Sequence, residues 1–278
     1  MKNNLFIFIL FFTISKLCCQ NISLKQIELD LQKSYQDILD DRFKDDTIAW
    51  NQLELHGKIF REKLSDYSRK YPSTLTYPFD SLRKKNIDIV SSRDKMFRIY
   101  SWDTWLGGTM HDFENIIQYK FGDKVYSKVY NDTVTDGEGE YIPFYSEIFT
   151  LKANNKTYYL GINNGIYSTK DASQSIKLFC IENDKLNDNV KLIKTKRGLI
   201  NSINVYFDFF SVVDRPERPL RLIKYDEKNM IIYIPIVLEN GKVTNRFILY
   251  KFTGKYFEHI KTEVKKSNTQ AKNKNKKQ

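Results

Sequence analysis

The chain has 278 residues, with 45 Lys and Arg against 34 Asp and Glu, a formal net charge of +11 and 41% hydrophobic residues. The excess charge sits at the ends. Residues 1–20 hold two lysines, and residues 261–278 hold seven lysines against Glu263, a net of +6; subtracting 2 and 6 from 11 leaves +3 on the folded body. That balance excludes the basic, aromatic-interleaved face that nucleic-acid binding needs.

The chain opens with MKNN, ten apolar residues LFIFILFFTI, then KLCCQ. A short positive region, an apolar run far below the roughly 20 residues that span a bilayer, and a polar exit are the layout of a secretory signal peptide. Cleavage near Gln20 predicts a mature chain starting at Asn21, exported to the periplasm, the outer envelope or the medium, with no transmembrane segment. A lipid anchor on Cys18 or Cys19 is the weaker alternative, because Ser15-Lys16-Leu17 lacks the small residues such processing favours. Removal of the segment leaves Cys180 as the last cysteine, which excludes an intrachain disulfide and a Cys-based metal cluster. Within SIKLFCIEN that thiol reads as a small buried core residue.

Residues 21–71 predict a helical hairpin. Leu24, Ile27, Leu31, Tyr35, Ile38 and Leu39 recur at three- and four-residue steps, and Ser23 with Gln26 forms a candidate capping box. A second helix is predicted from Thr47 to Arg69 with Ile48, Leu55, Ile59, Phe60, Leu64 and Tyr67 inward, ending at YPSTLTYP. His56 on this helix reads as a packed or surface residue.

Residues 72–260 change character, with bursts of Tyr, Phe, Ile, Val and Leu between Asn, Asp and Gly turns, the signature of antiparallel strands. IDIVSSRDKMFRIYSW, EIFTLKANNKTYYLGI and LRLIKYDEKNMIIYIP each read as strand, turn, strand. They are followed by ENIIQYKFGDKVYSKVY, QSIKLFCIENDKLNDNVKLI and NRFILYKFTGKYFEHIK. Lys95, Lys156 and Lys228 are 61 and 72 residues apart, and Ile116, Ile176 and Phe247 are 60 and 71 apart. The expectation is an α+β protein: a helical hairpin on a mainly antiparallel body of three four-stranded meanders, arranged as propeller-like blades or as an open barrel or sandwich. With three units the ring is incomplete or closed by the hairpin, which would blunt a sheet edge. Chance self-alignment of β-rich sequence is the plain alternative. Residues 261–278, rich in Lys and Asn, predict a disordered, solvated tail.

In the repeat frame DTWLGGTMHDF connects the second and third strands of the first meander, with Gly107-Gly108 supplying positive φ angles and Asp103 bonding backbone amides. A structural turn is the preferred reading. The catalytic alternative joins Asp103, His111 and Glu114 as acid, base and orienting group of a hydrolase, and a ligand-binding variant uses Trp102, Trp105 and Asp112. Neither a G-x-S-x-G elbow, an H-E-x-x-H helix nor a P-loop occurs. NDTVTDGEGE offers Asp132, Asp136, Glu138 and Glu140 as weak calcium ligands. Val134 and Pro143 fall where an EF-hand needs donors, so a solvated loop is preferred. VVDRPERPL reads as a stiff surface connection.

The elements RIYSWDTWLGGT and YKFTGKYFE resemble a group of secreted proteins from Bacteroidetes-type bacteria that share RIYSWDxxxGGT and YKFxGKYFE. The resemblance covers residues 72–260. It implies export and a β-rich body, and it carries no activity. The sequence thus points to an exported, non-catalytic module, with no cofactor, that binds a protein or a glycan outside the cytoplasm. The alternative is a hydrolase of extracellular or cell-surface polymer acting through Asp103, His111 and Glu114.

Overall fold

The computed structural model describes residues 22–42, 44, 47–131, 134, 135 and 140–264. The protein is α+β, with its helices first and mostly antiparallel sheets after them. Helices α1 (Leu24–Asp41) and α2 (Thr47–Lys70) form the expected hairpin, followed by a 3-10 turn (Pro72–Leu75) and a short α3 (Asp80–Arg83) that the sequence reading missed. Ser23 Oγ accepts the Gln26 amide at 3.1 Å, capping α1. At the other end His56 Nδ1 meets Asp41 Oδ2 at 2.5 Å, which ties α2 to α1. Burial raises the Asp41 pKa, but Lys44 and His56 outweigh it and hold the carboxyl below its usual range.

The buried stripe of α1 is Ile27, Leu31, Tyr35 and Ile38, as the spacing predicted. On α2 it is Ala49, Leu53, Phe60, Leu64 and Ser68, whereas Leu55 and Ile59 are exposed. The inward assignment of those two is corrected: the helix turns the 49/53/60/64 line to its neighbours, and at about 100° per residue Leu55 and Ile59 fall outside that line.

Three four-stranded antiparallel meanders follow. The first is β1 (Asp88–Ser91), β2 (Phe97–Asp103), β3 (Phe113–Phe121) and β4 (Lys124–Val129). After a small ladder of β5 (Val134–Thr135) and β6 (Glu140–Tyr141), the second is β7 (Phe144–Ala153), β8 (Lys156–Ile166), β9 (Asp171–Glu182) and β10 (Lys185–Asn187). A hairpin of β11 (Ile193–Thr195) and β12 (Gly198–Ile200), then β13 (Ser202–Asp208) and a 3-10 turn (Phe209–Val212), lead to the third. This comprises β14 (Lys224–Asp226), β15 (Ile231–Val237), β16 (Val243–Phe252) and β17 (Phe257–Val264).

The repeat frame matches strand for strand. Ile116, Ile176 and Phe247 all lie on the third strand of their meanders, opposite Tyr100, Ile162 and Pro235. It does not match residue for residue. The left-handed turn residue is Lys95 in the first sheet, Asn154 and Asn155 in the second, and Met230 in the third, so the first hairpin differs in each copy. Two insertions also depart from the frame. Strand β13 joins the second sheet beside β9, and the β11–β12 hairpin joins the third, where β11 runs parallel to β17 from Ile193 opposite Phe257. NDNVKLI is therefore split: Asn187 ends β10 of the second sheet, and Ile193 opens β11 of the third. The tail boundary also moves, because Lys261–Val264 continue β17 opposite Leu249–Arg246; residues 265–278 lie outside the described residues.

Among the described residues no sheet closes into a barrel; the sheets stack as successive layers. Phe97, Ile99, Ile117 and Tyr119 of the first sheet pack on Tyr145, Ile148, Tyr159 and Phe179 of the second. The opposite face of the second, with Leu160, Ile162, Ile176 and Leu178, packs on Ile223, Ile232, Ile234 and Phe257 of the third. The helices cover the free face of the first sheet through Tyr35, Phe60, Tyr100, Trp102 and Ile116. The hairpin thus covers a sheet face rather than closing a ring. Because the first two sheets are covered on both sides, β2 is buried along its whole length and shows no alternation of polar and apolar residues.

Buried polar groups cross these layers. Gln118 donates to the Ser68 carbonyl at 2.7 Å and to Thr74 Oγ1 at 2.8 Å, and accepts the Tyr100 hydroxyl at 2.9 Å. Gln174 donates to Asn164 Oδ1 and the Leu220 carbonyl, and its oxygen accepts the Leu222 and Ile223 amides at 3.0 and 2.7 Å. One carboxyl lacks such support: burial pushes Asp88, the first residue of β1, up to about 6, opposed by the charge of Arg83.

Candidate functional site

The loop between β2 and β3 is a built turn. Asp103 Oδ1 accepts the Trp105 amide at 2.8 Å, and Thr104 donates both its amide and its hydroxyl to the Asp112 carbonyl. Trp105 has φ +61°, and Arg42 lies 4.3 Å over its ring. The two glycines serve different needs, which corrects the expectation of two positive φ angles. Gly108 has φ +62°, whereas a Cβ on Gly107 would stand 1.9 Å from the Met110 carbonyl oxygen.

Of the three proposed catalytic residues, two meet. His111 Nδ1 lies 2.5 Å from Asp103 Oδ2, and the His111 amide donates to the Ile166 carbonyl at 3.0 Å, hooking the loop to the end of β8. Glu114 is not with them. Trp102 faces Glu114 and Asp103 faces Phe113 across the β2–β3 ladder, and successive residues of a strand point to opposite faces. Glu114 therefore faces the helices and pairs with Arg61 of α2, while Asp103 and His111 face the second sheet. Burial raises the Glu114 pKa against the opposing charge of Arg61. Burial also raises that of Asp112, whose Oδ1 accepts the Ile142 amide at 3.0 Å. Trp102 is buried edge-on against Phe60, with ring centroids 5.0 Å apart, and so belongs to the core.

Asp112 and Glu114 line a cleft of about 470 Å³ between α2 and the first sheet. A larger one, about 660 Å³, opens at the other side of the loop, where Met110 forms part of its wall. Sequence reading missed it because its residues come from separate elements: Tyr141 of β6, Tyr167 and Lys170 after β8, Asp171 of β9, Tyr206 and Asp208 of β13, and Glu239, Asn240 and Gly241 between β15 and β16.

Each side of this cleft is locally fixed. Ser168 Oγ accepts the Lys170 and Asp171 amides and donates to Asp171 Oδ2 at 2.8 Å, a serine-centred turn. Asp208 Oδ1 accepts the Phe210 amide at 2.8 Å and so caps the following 3-10 turn. The Asp208 amide donates to the Gly241 carbonyl at 2.8 Å. Gly241, at φ +80°, has no room for a Cβ, which would fall 2.9 Å from that same amide nitrogen.

Three tyrosines form the aromatic wall. Tyr141 meets Tyr167 edge to face at 4.5 Å and 88°, and Tyr167 stacks on Tyr206 at 6.0 Å and 30°. Gly165 makes the approach possible, since a Cβ there would lie 2.7 Å from the Tyr141 ring. Burial pushes Tyr141 up to about 12 and Tyr167 higher still, so both stay neutral, and the Tyr167 hydroxyl donates to Ser173 Oγ at 2.8 Å. Tyr206 is 44% exposed and presents its ring at the mouth. A stacked aromatic floor ringed by carboxylates, a lysine and a carboxamide can hold a polyhydroxylated ligand by ring stacking and directional hydrogen bonds.

Among the described residues no group of three or more His, Cys, Asp and Glu side chains is arranged to hold a metal ion. The calcium candidates Asp132, Asp136 and Glu138, and the side chain of Glu140, lie outside the described residues. No described helix is long and apolar enough to cross a membrane. Compared with known proteins, the chain matches no protein-family model, no curated protein and no solved structure.

Proposed function

We propose that this chain is an exported, non-catalytic binding protein that takes a glycan in the tyrosine-walled cleft. The observation that carries the reading is the Tyr141–Tyr167–Tyr206 stack, with an exposed ring at the mouth and Lys170, Asp171, Asp208 and Asn240 around it. Pyranose rings present apolar C–H faces to such a floor, and their hydroxyls suit fixed carboxylates and amides. The N-terminal MKNNLFIFILFFTI supports export, as does the resemblance to secreted Bacteroidetes-type proteins. In the hydrolase alternative, Asp103 would orient His111, whose ring lies 2.5 Å away. That alternative needs a third group on the same face, and Glu114 is committed to Arg61 on the other.

The test is binding of a panel of soluble oligosaccharides to the intact protein by calorimetry, repeated with Tyr206→Ala. One stacked ring contributes about 1 kcal/mol, so the substitution weakens the bound sugar roughly five- to tenfold without lowering the melting temperature. Undiminished affinity in Tyr206→Ala removes the cleft as the site. Release of reducing sugar from any panel member that persists in Glu114→Gln but not in His111→Ala would favour hydrolysis instead.

A further inference from the structure

Resting on the glycan reading of this cleft, we infer that its ligand is an amine-bearing glycan, a polymer of amino sugars with free, protonated amines. Among the described residues, the ionisable groups other than tyrosine that line the cleft are three carboxylates, Asp171, Asp208 and Glu239, against Lys170 alone. Lys170 Nζ stands 3.9 Å from Asp208 Oδ2, so it balances Asp208 and leaves the charge of Asp171 and Glu239 for the ligand. These two reach the cleft from different elements, Asp171 from the start of β9 and Glu239 from the loop after β15.

The Tyr206 ring, backed by Tyr167, lies on the same sheet face as Asp171, because Asp208 pairs with Asp171 across the β9–β13 ladder and Tyr206 is two residues before it. Its electron-rich face attracts an ammonium group as well as a sugar C–H face. A neutral sugar would use the ring and waste the charge. A uronic acid or sulfated sugar would use the ring against the charge. An amino sugar uses both.

The rest of the molecule sharpens the inference. Without the two lysines of residues 1–20 the exported chain keeps a formal charge of +9, so its overall field repels a polycation. Any preference for one must come from a local site.

The experiment compares two chito-oligosaccharides of equal length, one with free amines and one fully N-acetylated, binding to the intact protein by calorimetry at near-neutral pH. The free-amine form is expected to bind about tenfold more tightly, from two exposed charge pairs and one cation–π contact. The double variant Asp171→Asn/Glu239→Gln should abolish that preference, with an unchanged melting temperature showing that it folds. Tyr206→Ala should weaken both ligands. Equal or tighter binding of the acetylated form, or a preference that survives the double variant, overturns the inference and leaves the glycan reading standing. Binding of neither oligosaccharide nor of any neutral, acidic or amino sugar in the wider panel overturns both.

Discussion

Asp88→Asn should stabilise the protein, by an amount that depends on pH in a defined way. The Asp88 carboxyl sits at the start of β1, and burial raises its pKa from 3.8 to about 6. In the folded chain it holds its proton to higher pH than in the unfolded chain. Its contribution to stability is therefore fully present below about pH 3.8 and is lost as pH rises through 6. A shift of about two units at 1.36 kcal/mol each makes the ionised carboxylate cost about 3 kcal/mol at neutral pH. Asparagine keeps the shape and cannot ionise. Urea unfolding followed by tryptophan fluorescence should show Asp88→Asn about 3 kcal/mol more stable than the parent at about pH 7.5, and nearly equal to it at about pH 4. A difference of the same size at both pH values, or a less stable variant at pH 7.5, would refute the assignment of the cost to this group.

Gly107→Ala drives a Cβ against the Met110 carbonyl oxygen and should cost about 3 kcal/mol, whereas Gly108→Ala meets open space and should cost about 1 kcal/mol for its positive φ; differential scanning calorimetry separates the two. Gln174→Leu strands the buried Leu222 and Ile223 amides and the Leu220 carbonyl, so chemical denaturation should show a loss of at least about 3 kcal/mol. Arg61→Met removes the charge that opposes burial at Glu114, which raises the pKa of that carboxyl further. The variant should lose stability progressively as pH rises above the ordinary glutamate range, and Glu114→Gln in the same chain should restore a flat profile.

The parts of the fold legible in the sequence are those with a local period. The α1 stripe of Ile27, Leu31, Tyr35 and Ile38 needed only helical spacing. The strand–turn–strand units could be read because positive-φ turns favour residues such as Asn154 and Asn155. On α2, Leu55 and Ile59 misled because apolar residues also lie on the exposed side of that helix. Parallel pairing of Ile193 with Phe257 joins segments with no turn between them, and no local code announces it. The site was partly visible: Asp103 and His111 stood out as rare residues in a glycine-bearing loop and do meet. Separating Glu114 from them required the β2–β3 register, because one residue of offset decides which face a side chain occupies. Tyr141, Tyr167 and Tyr206 carry no mutual spacing at all, and only the stacking of sheets assembles them.

Strand β17 is the last strand of the described chain, yet it lies between β16 and β11 rather than at a border of its sheet. During synthesis from the N-terminus, β11 and β16 emerge before the segment that bridges them. Until residues 257–264 arrive, both present unpaired backbone, the condition under which nascent β proteins stick to one another. The third sheet therefore has a late-arriving keystone, and until that strand docks β11 and β16 each keep an open edge.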